Sequence, residues 1–143
     1  MQRTITRILL AVLGLAELAQ GIWPTVTPMG FYQDFPGFRR GWVSMDGPFN
    51  EHLIRDFGGL SLALAAVLIG AAVIGTTAVA RMVSVAALLF SVPHISYHLG
   101  HLGHYARTDQ VLTVVALVLT VVVPLVTLLL PGRRKVVSSS ATP

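Results

Sequence analysis

The chain has 143 residues, of which 54% are hydrophobic and 11% are charged, with a formal net charge of +4 and no cysteine. A soluble domain of this size usually carries about a quarter charged residues, so the composition indicates one integral membrane domain. The lack of cysteine excludes disulfides, thiolate metal sites and iron–sulfur clusters, and the few basic residues do not indicate nucleic-acid binding.

Four apolar segments follow one another, each near the ~20 residues that cross ~30 Å of hydrocarbon as a helix. The bilayer core offers the backbone no hydrogen-bond partners, so helices are the expected form. The predicted fold is all-α, an integral membrane four-helix bundle with a structured extracytoplasmic loop between helices one and two. It occupies residues 1–135, with helices at about 5–23, 57–80, 82–104 and 111–130, an outer loop at 24–50 and a disordered cytoplasmic tail at 136–143.

The first segment combines a basic start with an apolar middle, as a signal peptide does. Its end places Glu17 where a cleavage site before Ala19 would need a small residue. The sequence therefore favours a retained membrane helix.

The outer loop is unusually aromatic for a flexible linker. Two interpretations remain open: a loop that rests on the bilayer surface with its rings among the headgroups, or a cap folded over the helix bundle. The aromatic side chains concerned are Phe31, Tyr32, Phe35, Phe38, Trp42 and Phe49.

The second segment carries small residues four apart. Such spacing lets helix backbones approach closely, although it also arises by chance in an alanine-rich helix. The pairs are Gly59 and Ala63, Ala66 and Gly70, and Ala71 and Gly75.

The basic residues predict the orientation. One side of the predicted bundle holds six basic residues and no acid: Arg3, Arg7, Arg81 between helices two and three, Arg133, Arg134 and Lys135. The positive-inside rule then places both termini in the cytoplasm and predicts a multi-pass protein of the plasma membrane.

Four of the five histidines lie in the third segment and directly after it. On a helix that advances about 100° per residue, His94, His98, His101 and Tyr105 share one face, whereas His104 points elsewhere. This face occupies the outer half of the helix.

The outer ends of the first three helices all carry polar residues at one depth. Ionisable groups at membrane depth are costly and usually face a bundle interior or a watery cavity, so we expect a shared site. The candidate ligand-binding residues are Glu17, Gln20, His52, Arg55, Asp56, His94 and His98.

Three interpretations of this site remain open. In the first, the polar groups only bond one another and fix helix packing, as in a structural subunit of a homo-oligomer or larger membrane complex. In the second, a transition metal or haem is bound, with His94, His98, His101 and Glu17 as candidate metal ligands. In the third, a histidine and a carboxylate bond a quinone or another lipophilic ligand, with loop aromatics covering its ring.

Three strings carry a resemblance: "FYQDFPGFRRGW" at 31–42, "DGPFNEHLIRDFGGLSLALA" at 46–65 and "VPHISYHLGHLGH" at 92–104. Together they resemble a group of small actinobacterial membrane proteins, and the four-helix plan is distantly similar to the DoxX-like superfamily. That resemblance implies association with membrane redox complexes or quinone-coupled oxidation. It supplies no catalytic residues.

The sequence thus predicts a redox-associated membrane protein or accessory subunit with a histidine and carboxylate pocket near the outer face. The protein is expected to contact the lipid bilayer. Quinone, transition metal and haem stay open as cofactors, and the sequence does not decide whether the protein is an enzyme.

Overall fold

The computed structural model describes residues 2–130, so the predicted tail at 136–143 lies outside the described residues. Within that range the chain is helical and contains no strand: α1 (Gln2–Val26), α2 (Pro28–Asp34), α3 (Glu51–Ile74), α4 (Thr77–Gly100), a short 3-10 turn (Leu102–His104) and α5 (Arg107–Leu129). Four of these helices, α1, α3, α4 and α5, are long and apolar enough to cross a membrane. The chain is a small multi-pass integral membrane protein.

The turn between α3 and α4 lies earlier than the hydropathy predicts. Gly75 adopts the left-handed conformation (φ +68°), and its amide donates to the carbonyl of Ala71. Such a residue ends a helix, and glycine adopts the conformation at low cost. Thr76 is extended and precedes α4. The sequence had predicted that Arg81 lies between the two helices. It lies inside α4 instead.

The helix α3 also begins earlier than the apolar segment does. The side chain of Asn50 accepts a hydrogen bond from the Leu53 amide (3.1 Å), so the polar turn that starts at Glu51 is helical. An N-cap of this type satisfies an amide that has no partner within the helix.

The helices α1 and α3 pack antiparallel at close range through glycines. Gly14 faces Leu68, and Gly21 faces Leu62. Gly58 of α3 faces the end of α1, where it approaches Thr25. Glycines allow this approach because no Cβ separates the backbones.

Of the small residues read from the sequence, Gly59 and Gly70 do not make this contact, whereas Ala71 is buried in the core shared with α1 and Gly75 faces Arg7 of α1. A Cβ added at Gly59 or at Gly70 would meet nothing within 4 Å. The interface uses Gly58 instead, one residue away and on a different face of α3.

The helices α4 and α5 pair through hydroxyl groups as well as apolar residues. Ser84 and Thr127 are both buried and hydrogen-bond to each other across the interface. Each hydroxyl also lies close to a carbonyl oxygen of its own helix, Ser84 Oγ at 2.8 Å from that of Ala80 and Thr127 Oγ1 at 2.9 Å from that of Pro124, so one hydroxyl donates to the other and the second donates to its own helix. The apolar core near this end of the bundle joins α1, α3 and α4 through Leu10, Leu13, Leu68, Ala71, Ala72, Ala80 and Val83.

Residues 27–50, which we call the cap, fold onto the other end of the bundle. The helix α2 packs on α1 and α3 through Phe31, which is 4% exposed. The later part of the cap reaches α4 and α5, where Trp42 is 7% exposed. The segment therefore packs against the helices, as the cap interpretation predicted.

Candidate functional site

Two histidines of α4 face the bundle interior at the capped end. The buried Ala87 and Ser91 mark the interior face of α4, and His94 and His98 continue it at helical spacing. The His94 ring stacks on Phe90 with centroids 5.2 Å apart, and it meets the edge of the His98 ring at 4.7 Å. This confirms neither a ligand nor a metal, but it places both imidazoles inward.

A cap carboxylate lies beside His98. Asp46 Oδ2 is 3.7 Å from His98 Nδ1, and the two side chains are only 19% and 16% exposed. The atoms Asp46 Oδ1 and His98 Nδ1 are buried and have no hydrogen-bond partner. Buried polar atoms normally have partners, so this pair has unused hydrogen-bonding capacity.

The hydroxyl of Tyr105 completes the cluster. It lies 2.9 Å from the Trp42 carbonyl oxygen and 3.2 Å from Asp46 Oδ2. Burial, followed by the charge of Asp46, raises the pKa of the Tyr105 phenol above its ordinary value. The phenol thus keeps its proton, which it donates within the cluster. We call His94, His98, Asp46 and Tyr105 the histidine cluster.

A second polar contact holds the cap to α5. Arg39 donates two hydrogen bonds to the Asp109 carboxylate, at 2.6 and 2.9 Å, and the indole N–H of Trp42 donates a third at 3.2 Å. The hydrogen bond and charge of Asp109 raise the pKa of the Arg39 guanidinium. Bidentate pairs of this kind are among the strongest hydrogen bonds in proteins. We call Arg39, Trp42 and Asp109 the cap latch.

Aromatic rings connect the cap to three helices around the cluster. Phe31 of α2 lies against Trp23 of α1 (5.9 Å between centroids) and Phe57 of α3 (5.8 Å). Phe57 in turn meets Phe90 of α4 at 6.4 Å. Trp42 meets Tyr105 at 6.3 Å. The histidine cluster therefore adjoins a continuous aromatic layer.

Glu17 is buried, but in a different contact from the one predicted. Its side chain is 4% exposed and interacts with the Ser61 hydroxyl of α3. Within residues 2–130, no hydrogen bond or ion pair joins Glu17 to a histidine. Gln20 is half-buried one turn further along α1. The carboxylate beside the inward histidines is Asp46 instead.

The predicted site residues at the start of α3 lie on its surface. His52 pairs with Asp56 (3.2 Å), with side chains 88% and 63% exposed. Arg55 bonds Glu51 (2.8 Å) and the carbonyl of Thr25 at the end of α1. These side chains share the level of the histidine cluster without facing it, because they lie on outward faces of α3.

His101 leaves the shared face because α4 ends at Gly100. Its ring stacks on Tyr97 (4.1 Å), and its Nδ1 lies 2.7 Å from the Tyr97 carbonyl oxygen. Within residues 2–130, the structure contains no group of three or more histidine, aspartate or glutamate side chains placed to hold a metal ion. The predicted ligands His94, His98, His101 and Glu17 thus form no such group, although His94 and His98 lie side by side.

An apolar groove lies on the opposite face of α4. It is lined by Val85, Leu88, Leu89, Val92 and Pro93. At 100° per residue its centre is about half a turn from His94 and His98, so the groove is separate from the histidine cluster.

The sequence did not identify Asp46, Trp42, Arg39 and Asp109 as site residues. Trp42 was named only among the aromatic residues of the outer loop, and the proximity of all four residues depends on the path of the cap. A signal was present in Asp109, an acid at the start of an otherwise apolar helix. Tyr105 was placed on the histidine face, and it reaches the cluster from the turn after α4 instead.

The chain matches no protein-family model, and comparisons with curated proteins and with solved structures likewise give no match.

Proposed function

We propose that this protein is a redox-associated membrane protein, or an accessory subunit of a membrane redox complex, that binds a quinone-like lipophilic ligand at the histidine cluster. The observation that carries the proposal is the pair formed by His98 and Asp46, whose buried polar atoms have no partner. A ligand oxygen beside this pair would supply a hydrogen bond that the protein itself does not.

The composition of the cluster supports a ligand with both a flat ring and oxygens. The His94 ring stacks on Phe90, and Phe57 lies behind Phe90. Ligand sites combine such aromatic walls with a few convergent polar groups. An imidazole can donate to a quinone oxygen or accept from a quinol hydroxyl, and a carboxylate can accept from a quinol hydroxyl.

The position of the cluster supports a ligand that reaches it from the membrane. His94 and His98 lie within α4, one of the helices that can cross the bilayer. They are half-buried rather than sealed in the core. A lipophilic molecule in the outer part of the bilayer would lie at their depth.

The other two interpretations receive less support. A metal site needs three or four converging ligands, and the described residues offer no such group. A purely structural role accounts well for the cap latch, whose polar groups satisfy one another, and for the contact of Glu17 with Ser61. It accounts less well for the two buried atoms without partners.

The proposal is tested by calorimetric titration of the detergent-solubilised full chain with a benzoquinone that bears a ten-carbon tail and, without oxygen, with the corresponding quinol. We expect saturable binding of at least one of the two forms, and this binding should weaken about tenfold or more in His98→Ala, because a buried hydrogen bond is lost. The matched control is His52→Ala, which removes an exposed imidazole at the same end of the bundle. Equal binding by all three proteins, or none by the wild type, favours the structural subunit.

A further inference from the structure

The two nitrogens of the His98 ring have different surroundings. Nδ1 is buried beside Asp46, so the 16% of the side chain that stays exposed belongs to other atoms. No side chain in residues 2–130 hydrogen-bonds to Nε2. A neutral imidazole carries one proton, and the neighbouring carboxylate stabilises that proton on the nitrogen that faces it.

The donors of the histidine cluster and the cap latch that have a single hydrogen, the Tyr105 hydroxyl and the Trp42 indole, are already engaged. The single hydroxyl hydrogen of Tyr105 is directed at the Trp42 carbonyl and Asp46. The indole N–H of Trp42 and the Arg39 guanidinium both donate to Asp109. The histidine cluster therefore presents acceptors toward a ligand more than donors.

His94 does not change this excess of acceptors over donors. It is the polar side chain packed edge-on against His98, and its other face is covered by Phe90. A neutral imidazole offers one donor and one acceptor, so His94 serves a donor ligand and an acceptor ligand equally well.

We infer that Asp46 fixes the proton of His98 on Nδ1, leaving Nε2 as an acceptor, so that the site selects the reduced quinol over the oxidised quinone. A quinol carries hydroxyl groups that donate to Nε2, whereas a quinone carries only carbonyl acceptors. An acceptor facing an acceptor leaves both without a hydrogen bond. This inference rests on the proposed function and specifies its substrate class.

The test compares the two redox forms of one probe. The ten-carbon-tail benzoquinone and its quinol are titrated separately, without oxygen, into the detergent-solubilised full chain. For each protein we divide the Kd of the quinone by the Kd of the quinol, and we expect this ratio to be about tenfold larger in the wild type than in His98→Gln. Comparison with His98→Gln removes the different partitioning of the two forms into detergent, because glutamine offers both a donor and an acceptor.

Asp46→Asn tests the role of the carboxylate. An amide does not force the His98 proton onto Nδ1, so the preference for the quinol over the quinone should fall to about threefold or less. The matched control is Asp34→Asn, whose carboxylate forms an exposed pair with Arg40 and should leave the preference unchanged. A far-ultraviolet circular dichroism spectrum checks that the variants keep their helices.

A second measurement stands apart from binding. Nitrogen-15 NMR of histidine-labelled protein separates the two tautomers, and His98→Gln assigns the His98 signals. We expect the Nδ1–H form in the wild type. An Nε2–H form, or equal binding of quinone and quinol, overturns the inference while the proposed function stands. If neither form binds, the proposed function fails and the inference fails with it.

Discussion

The two halves of this bundle are held together by different forces. The helices α1 and α3 meet along an interface where Gly14, Gly21 and Gly58 bring the backbones together. The cap, α4 and α5 meet through hydrogen bonds, including the bidentate pair of Arg39 with Asp109. In one half close backbone packing predominates, with polar contacts of Arg7, Glu17 and Arg55 beside it, and in the other half hydrogen bonds predominate.

This difference has a physical basis in the membrane. Apolar surface gains little from helix contact in lipid, so close packing and hydrogen bonds decide which helices associate. The glycine interface leaves no room for a ligand. The polar half contains the half-buried histidines, and there the structure retains atoms without partners. A candidate ligand site therefore belongs to the polar half.

The largest effect is expected at the glycine interface. A Cβ at Gly21 would lie 2.8 Å from the backbone nitrogen of Leu62, and one at Gly58 would lie 3.0 Å from the carbonyl oxygen of Gly21. Backbone atoms cannot move aside cheaply, so Gly21→Ala and Gly58→Ala should each destabilise the fold by about 1–3 kcal/mol. Unfolding by dodecyl sulfate, followed by circular dichroism, measures this.

The control for that experiment is Gly59→Ala, on the open side of the same helix. Nothing lies within 4 Å of the added methyl group, so the intrinsic helix preference for alanine should dominate. We expect a neutral or slightly stabilising effect, of about 0–1 kcal/mol. Similar losses in Gly58→Ala and Gly59→Ala would contradict the packing described for α1 and α3.

The next effect is expected at the cap latch. Asp109→Asn removes the charge that accepts two hydrogen bonds from Arg39 and one from Trp42. The cap should open more often, with amide hydrogen exchange in residues 39–46 about tenfold faster. Asp34→Asn is the matched control, because its pair with Arg40 is exposed (43% and 84%). Unchanged exchange in Asp109→Asn would show that the latch does not hold the cap.

Tyr105 makes the polar half sensitive to high pH. Its folded-state pKa is raised above the unfolded value of about 10, so the folded state holds the phenol proton more tightly. The resulting stability is present below about pH 10 and is lost as the pH rises further. Tyr105→Phe should lower stability by about 1 kcal/mol at neutral pH and remove this loss at high pH.

Unfolding measured at several values between about pH 8 and pH 11 tests this expectation. Tyr97→Phe is the control, since Tyr97 is 48% exposed and makes the smallest contribution to the raised pKa of Tyr105, so its variant should keep most of the wild-type pH dependence. A Tyr105→Phe protein that still loses stability above about pH 10, to the wild-type extent, would assign the effect to another group.

Sequence patterns predicted those features that depend on one helix at a time. Hydropathy identified four membrane-crossing helices, and a 100° rotation per residue placed His94 and His98 on one face. The end of α3 was misplaced because the apolar run continues past Gly75, and only the left-handed conformation of that glycine ends the helix.

The contact partners of the site residues could not be predicted from sequence patterns along single helices. Depth along the bilayer follows from the sequence, but lateral neighbours depend on which faces the helices turn to one another. Glu17 lies in the half of α1 that is nearer the cap, yet it faces Ser61. Asp46 reaches His98 through a 24-residue cap whose path no periodicity describes.

The smallest effect is expected at the start of α3, where polar residues belong to neither half. His52 and Asp56 are 88% and 63% exposed, and exposed pairs four residues apart contribute about 0.3–0.5 kcal/mol. His52→Ala should therefore change the free energy of unfolding by no more than about 0.5 kcal/mol, and addition of about 1 M salt should remove even that difference. Unfolding by dodecyl sulfate measures this free-energy difference with and without the added salt. A loss above about 1 kcal/mol that persists in salt would mean that His52 contacts the bundle interior, and would return it to the candidate site.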